Sequence, residues 1–108
     1  MRDTQLFSIN HLKKLCGQFG LAPSRKYGQN FLINDAPIAK MLEATEIKKS
    51  DTVIEIGPGF GGLTFALADR AAKVIAFEIE KKLRPYWDKE IERYGDKIDI
   101  IWGNVLRI

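Results

Sequence analysis

Thr52-Val53-Ile54-Glu55-Ile56-Gly57-Pro58-Gly59-Phe60-Gly61-Gly62-Leu63-Thr64 passes from a short β-branched run through a glycine-rich loop into a helical pattern. Glycines between a buried strand and a helix let the backbone come close to a ligand, and a helix start there favours polar or anionic groups. A second apolar run, Lys73-Val74-Ile75-Ala76-Phe77, then delivers Glu78, about twenty residues beyond the first glycine. A carboxylate at that place grips a ribose hydroxyl pair in doubly wound folds. The stretch reads as a site for an adenosine-containing cofactor.

Two glycine patterns overlap in the loop. Gly57, Gly59 and Gly62 fit the dinucleotide fingerprint G-x-G-x-x-G, a weak signal alone. Gly57, Gly59 and Gly61, with Glu55 two residues ahead, fit the E-x-G-x-G-x-G pattern of S-adenosylmethionine-dependent methyltransferases. Glu55 favours the second. A carboxylate beside the loop repels a pyrophosphate but helps place the ammonium group of a methionine moiety. A nicotinamide-dependent oxidoreductase is the outsider from another enzyme class.

Outward from the loop, the pattern alternates. A first helix begins near Ser8, turns Ile9, Leu12, Cys16 and Phe19 to one side and ends at Gly20. Pro23 to Asn30 reads as a loop. Asp35 caps a second helix through Ala44, with Ile38, Met41 and Leu42 apolar. Strand one is Thr52 to Ile56, a third helix runs from Gly62 to Ala71, and strand two is Lys73 to Phe77. A fourth helix spans Lys81 to Tyr94, where Leu83, Trp87 and Ile91 recur at core spacing, and strand three is Ile98 to Trp102. Strands alternating with helices predict an α/β fold with a parallel sheet.

The chain of 108 residues is 45% hydrophobic and 29% charged, the balance of a soluble globular protein. No run approaches the ~18 apolar residues of a membrane span, and no basic-then-apolar leader precedes the first helix. The single cysteine, Cys16, has no internal disulfide partner, which suits a cytoplasmic setting; with His11 it makes no metal-ligand pattern. Arg2, Lys13, Lys14, Arg25 and Lys26 face only Asp3 across residues 1–30, a basic arm suited to a polyanion.

With Tyr27-Gly28-Gln29-Asn30-Phe31-Leu32 ahead of the glycine loop and Glu78, the sequence resembles the ribosomal RNA small-subunit adenine dimethyltransferases, from about Arg25 to Leu106. The erythromycin-resistance rRNA methyltransferases stand second. The resemblance implies the N-terminal half of a Rossmann-like class I methyltransferase fold, with three parallel strands and flanking helices. Residues 1–24 would be a basic helical arm and residues 25–108 a partial S-adenosylmethionine-binding domain. It implies that Asn30 and Leu32 contact the cofactor, with Gly57 and Gly59 bringing the loop backbone against it. Glu55 would lie beside the methionine end, and Glu78 would hold the ribose hydroxyls. Asn104 stands where the family usually has Asp, so its amide oxygen would accept from the adenine amine without charge assistance. Arg25 and Lys26 would contact RNA.

The family's acceptor motif, Asn-Leu-Pro-Tyr, follows strand four, so no residue up to Ile108 is assigned as catalytic and the isolated chain is expected to transfer no methyl groups. The implied partner is small-subunit rRNA or the pre-ribosomal small subunit. A non-catalytic RNA- or cofactor-binding module is the alternative. Strand one, with strand four absent, would present an unprotected edge and give a dimer, a domain swap or limited solubility.

Overall fold

A computed structural model of the protein describes residues 9–21 and 36–107. Its order is α1 (Ile9–Gln18), α2 (Ala36–Thr45), β1 (Thr52–Ile56), α3 (Gly62–Ala68), β2 (Lys73–Glu78), α4 (Arg84–Tyr94) and β3 (Ile98–Trp102). The caps at Ser8 and Asp35, the loop from Pro23 to Asn30 and the side chains of Ile9, Leu12 and Ile38 lie outside the described residues.

The three strands are parallel in the order β1-β2-β3, with Val53 beside Val74 and Val74 beside Ile98. Partners in a parallel ladder share a face and neighbours along a strand alternate. One face therefore carries Val53, Glu55, Val74, Ala76, Glu78, Ile98, Ile100 and Trp102. This face meets the helices. Val74 and Ala76 of the central strand are fully buried, and they join one core with Leu15, Leu42, Phe65, Leu67, Leu83 and Trp87. Leu15 and Cys16 of α1 belong to that same core, so the described part of the basic arm packs on the sheet domain. The opposite face carries Ile54, Ile56, Ile75, Phe77 and Ile101, and there Ile54 and Ile56 are 65% and 69% exposed.

Several elements depart from their expected bounds. β2 takes in Glu78, which stays in the ladder opposite Trp102. α3 stops at Ala68 rather than Ala71, because the chain must turn at once into β2: the Arg70 and Ala71 amides both bond the Leu67 carbonyl. The Lys97 ammonium caps the Ala68 carbonyl, and the Ala72 amide already reaches back to Asp51 ahead of β1. The fourth helix starts with a 3₁₀ turn, Lys81–Leu83, where the Glu80 carboxylate accepts from the Lys82 amide, and becomes α-helical at Arg84 with Pro85 in its first turn. Met41, placed on the apolar side of α2 by the sequence pattern, is exposed. Leu42 carries the contact of α2 with the core, and one residue's rotation of about 100° swings Met41 off that stripe.

Candidate functional site

The C-terminal ends of the three strands converge on the glycine loop, the edge at which open α/β sheets bind ligands. The Gly57 amide continues the ladder to the Phe77 carbonyl at 2.9 Å, and the Gly61 amide closes a turn onto the Pro58 carbonyl at 2.9 Å. Gly57 has φ +73° with open space around the position of a side chain, so its backbone is accessible to a ligand. Gly61 is a different case. At φ +94°, a Cβ there would lie 2.7 Å from the Trp87 ring and 2.8 Å from the Phe65 ring, so only a hydrogen fits between loop and core.

Two aromatic side chains of α4 hold the loop from behind. The Trp87 indole N–H donates to the Gly59 carbonyl at 2.8 Å, and the Tyr86 hydroxyl donates to the Phe60 carbonyl at 2.6 Å. Both are buried, so these bonds satisfy polar groups that water does not reach. Trp87 was legible from its spacing as a core residue, but its bond to the loop was not. Tyr86 gave no sequence signal.

Glu78 is 2% exposed and is tied into the loop by both oxygens. Oε1 accepts the Gly59 amide at 3.1 Å and Oε2 accepts the Glu80 amide at 2.8 Å. Each carboxylate oxygen has a further lone pair, so these bonds orient the group for a hydroxyl rather than exhaust it. Gly59 is thereby held at both backbone atoms: it supports the loop's shape.

Glu55 lies on the same face of the sheet, one strand over and 8% exposed. Its Oε1 accepts the hydroxyl of Thr64, a fully buried residue of α3, at 2.5 Å. Burial pushes the carboxyl up to about 7; the Thr64 bond works against that rise and the negative charge of Glu78 adds to it. Its other oxygen, Oε2, has no partner among the described residues, and no described Lys, Arg or His pairs with Glu55. Two buried carboxylates beside one loop make a poor seat for a pyrophosphate and a favourable one for a cation and a hydroxyl pair.

Asn104 follows β3, brought beside β2 by the Gly103 amide bonding the Glu78 carbonyl at 2.9 Å. Its Oδ1 accepts the Leu106 amide at 2.9 Å, which fixes the orientation of the side-chain amide. Exposed Ile79, next to Glu78, adds an apolar surface at the mouth of the site that sequence reading missed. The structure thus brings together Glu55, Gly57, Gly59, Glu78 and Asn104. Asn30, Leu32, Arg25 and Lys26 lie outside the described residues. No group of His, Cys, Asp or Glu among the described residues has the arrangement of a metal site.

A family model described as ribosomal RNA adenine dimethylase matches residues 22–108. Over all 108 residues the chain is 43% identical to the probable ribosomal RNA small subunit methyltransferase A of Pyrococcus furiosus, and it covers 36% of that protein. It resembles the crystal structure of a dimethyladenosine transferase from Plasmodium falciparum with a TM-score of 0.63 and 32% identity, over 69% of this chain and 28% of that one. The 23S rRNA methyltransferase ErmE gives a TM-score of 0.65 and 33% identity, over 73% of this chain and 32% of the other. The chain therefore spans about a third of the length of the curated relatives it matches.

Proposed function

The chain belongs to the ribosomal RNA adenine dimethylase family, and from that membership we propose that it is the cofactor-holding part of an S-adenosylmethionine-dependent adenine dimethyltransferase acting on small-subunit rRNA in the cytoplasm. The observation that carries this reading is the pair of buried carboxylates, Glu55 and Glu78, with no cation against Glu55 among the described residues. The donor set fits the cofactor. Glu55 would take the ammonium of the methionine end, the open backbone at Gly57 would lie against that end, and Glu78 would accept from the ribose hydroxyls. Asn104 would face the adenine edge, with Asn30 and Leu32 adding contacts and Arg25 and Lys26 meeting RNA. When bound, the cofactor supplies a sulfonium methyl group as the electrophile for an adenine amine.

Small-subunit rRNA is preferred over the large-subunit substrate of ErmE because 43% identity over the full chain links it to a small-subunit methyltransferase. Calorimetric titration tests the cofactor. S-adenosylhomocysteine should bind and NAD should not; tighter binding of NAD contradicts the proposal. Glu78→Gln should weaken S-adenosylhomocysteine by about 1.5–3 kcal/mol through loss of a charged acceptor.

No helix of the described residues is long and apolar enough to cross a membrane. β1 pairs on one side only among the described residues, and it carries exposed Ile54 and Ile56 with none of the Pro or Lys devices that guard natural edges. We propose that this edge pairs with a second copy of the chain. Sedimentation should show a concentration-dependent dimer of the 108-residue chain, weakened by Ile54→Lys. A monomer at millimolar concentration contradicts it.

A further inference from the structure

Thr64 is polar, fully buried and placed within a helix whose residues from Thr64 to Ala68 are all buried. A hydroxyl in such a place needs a partner, and it finds Oε1 of Glu55. The bond crosses from α3 to β1 and fixes one carboxylate oxygen, leaving Oε2 as a buried acceptor without a partner among the described residues. The charged group acting on Glu55 is Glu78, from β2; α3 contributes the Thr64 hydroxyl, and α1, α2, α4 and β3 contribute no described cation.

We infer that Thr64 is a positioning residue: by holding Oε1 it presents Oε2 of Glu55 to the ammonium group of the cofactor's amino-acid end, and a proton leaves Glu55 as that ammonium docks. The inference rests on the cofactor reading above and adds the residue that sets the contact and the proton that accompanies it. The exchange is balanced: a neutral Glu55 carboxyl and a ligand ammonium become a carboxylate–ammonium pair, and the proton passes to buffer. Without a ligand cation, the buried carboxyl beside Glu78 holds its proton up to about pH 7, and burial is the principal cause. The ligand's positive charge replaces that proton. The Thr64 hydroxyl serves both states, since it donates to the carboxylate and accepts from the carboxylic acid.

Carbon-13 NMR of the Glu55 carboxyl in the ligand-free chain tests the positioning role. The wild-type midpoint should lie near 7. Thr64→Val, which keeps the shape and loses the donor, should raise it by about one pH unit or more, and Thr64→Ser should restore it. Calorimetry with S-adenosylhomocysteine at pH 6.5, in buffers of different ionisation heat, tests the proton. Wild-type protein should release a substantial fraction of one proton per ligand bound. The probe 5′-methylthioadenosine, which lacks the amino-acid end, should release none.

An unchanged midpoint in Thr64→Val overturns the positioning role. If that variant does not fold, Thr64→Ala, which also removes the donor, takes its place, and an unchanged midpoint there overturns the role equally. S-adenosylhomocysteine binding without proton release overturns the coupling and leaves the proposed function standing. No binding at any pH from 6 to 9 overturns both.

Discussion

Glu55→Gln should stabilise the ligand-free chain at pH 8 by up to about 3 kcal/mol, while leaving its stability at pH 4 nearly unchanged. The expectation follows from the gap between the folded value of the Glu55 carboxyl, about 7, and its ordinary value of 4.5. The folded state holds this proton more tightly than the unfolded chain does. Its contribution to stability is therefore fully present below the unfolded value. It is lost as the pH rises through 7, where a buried carboxylate must ionise beside Glu78. Glutamine has nearly the same shape, stays neutral and can still accept from Thr64, so it removes the penalty without opening a cavity. Urea unfolding of both proteins at pH 4 and pH 8 measures this, the difference between them isolating Glu55 from other titrating groups. Against the ~5–15 kcal/mol of a typical domain, the change is large. The same variant should bind S-adenosylhomocysteine more weakly and lose proton release on binding. A gain in stability with a loss of binding is the signature of a carboxylate kept for a ligand; destabilisation at pH 8 would show that Glu55 serves the fold instead.

The strands were legible because each is a short β-branched run bounded by turn residues, and β1 and β3 fall where the sequence places them. The parallel order followed from the alternation of strands and helices, whereas which face is covered emerges only from the register of Val53, Val74 and Ile98. The glycine loop and both glutamates were legible as a motif. Their partners were not, because those bonds join residues distant in sequence: Thr64 reaches Glu55 across nine positions, Glu78 reaches Gly59 across nineteen, and Trp87 reaches Gly59 across twenty-eight. Glycine spacing says that backbone must pass closely but not what it passes. Thr64 carried one available signal, a hydroxyl in an otherwise apolar helix. Met41 shows the limit of periodicity on a short helix, since a 10-residue amphipathic pattern leaves its packed stripe uncertain by one residue.

Gly61→Ala should destabilise the chain by roughly 2–5 kcal/mol, enough to unfold much of it or to lower its melting temperature by about 10 °C or more. Two costs combine. At φ +94° an alanine is strained by about 1–2 kcal/mol relative to glycine. The added methyl also lies 2.7 Å from Cη2 of Trp87 and 2.8 and 2.9 Å from Cε2 and Cζ of Phe65. Those rings are tilted against one another with centroids 5.5 Å apart, and Phe65 also stacks on Tyr94 at 5.2 Å, so Phe65 is packed on both sides. Trp87 is fully buried and anchored through its indole N–H to Gly59, so retreating from the methyl group would break the bond that holds the same loop. Overpacking of this kind typically costs about 1–3 kcal/mol. Gly57→Ala is the internal control: it meets nothing within 4 Å and bears only the backbone strain, so it should stay folded. Thermal unfolding followed by circular dichroism compares the two, and Gly61→Ala combined with Trp87→Phe should cost less than the sum of the separate changes because a smaller ring makes room for the methyl. A Gly61→Ala chain as stable as Gly57→Ala would mean that the aromatic cluster yields, and that Trp87 packs beside the glycine loop without fixing its shape.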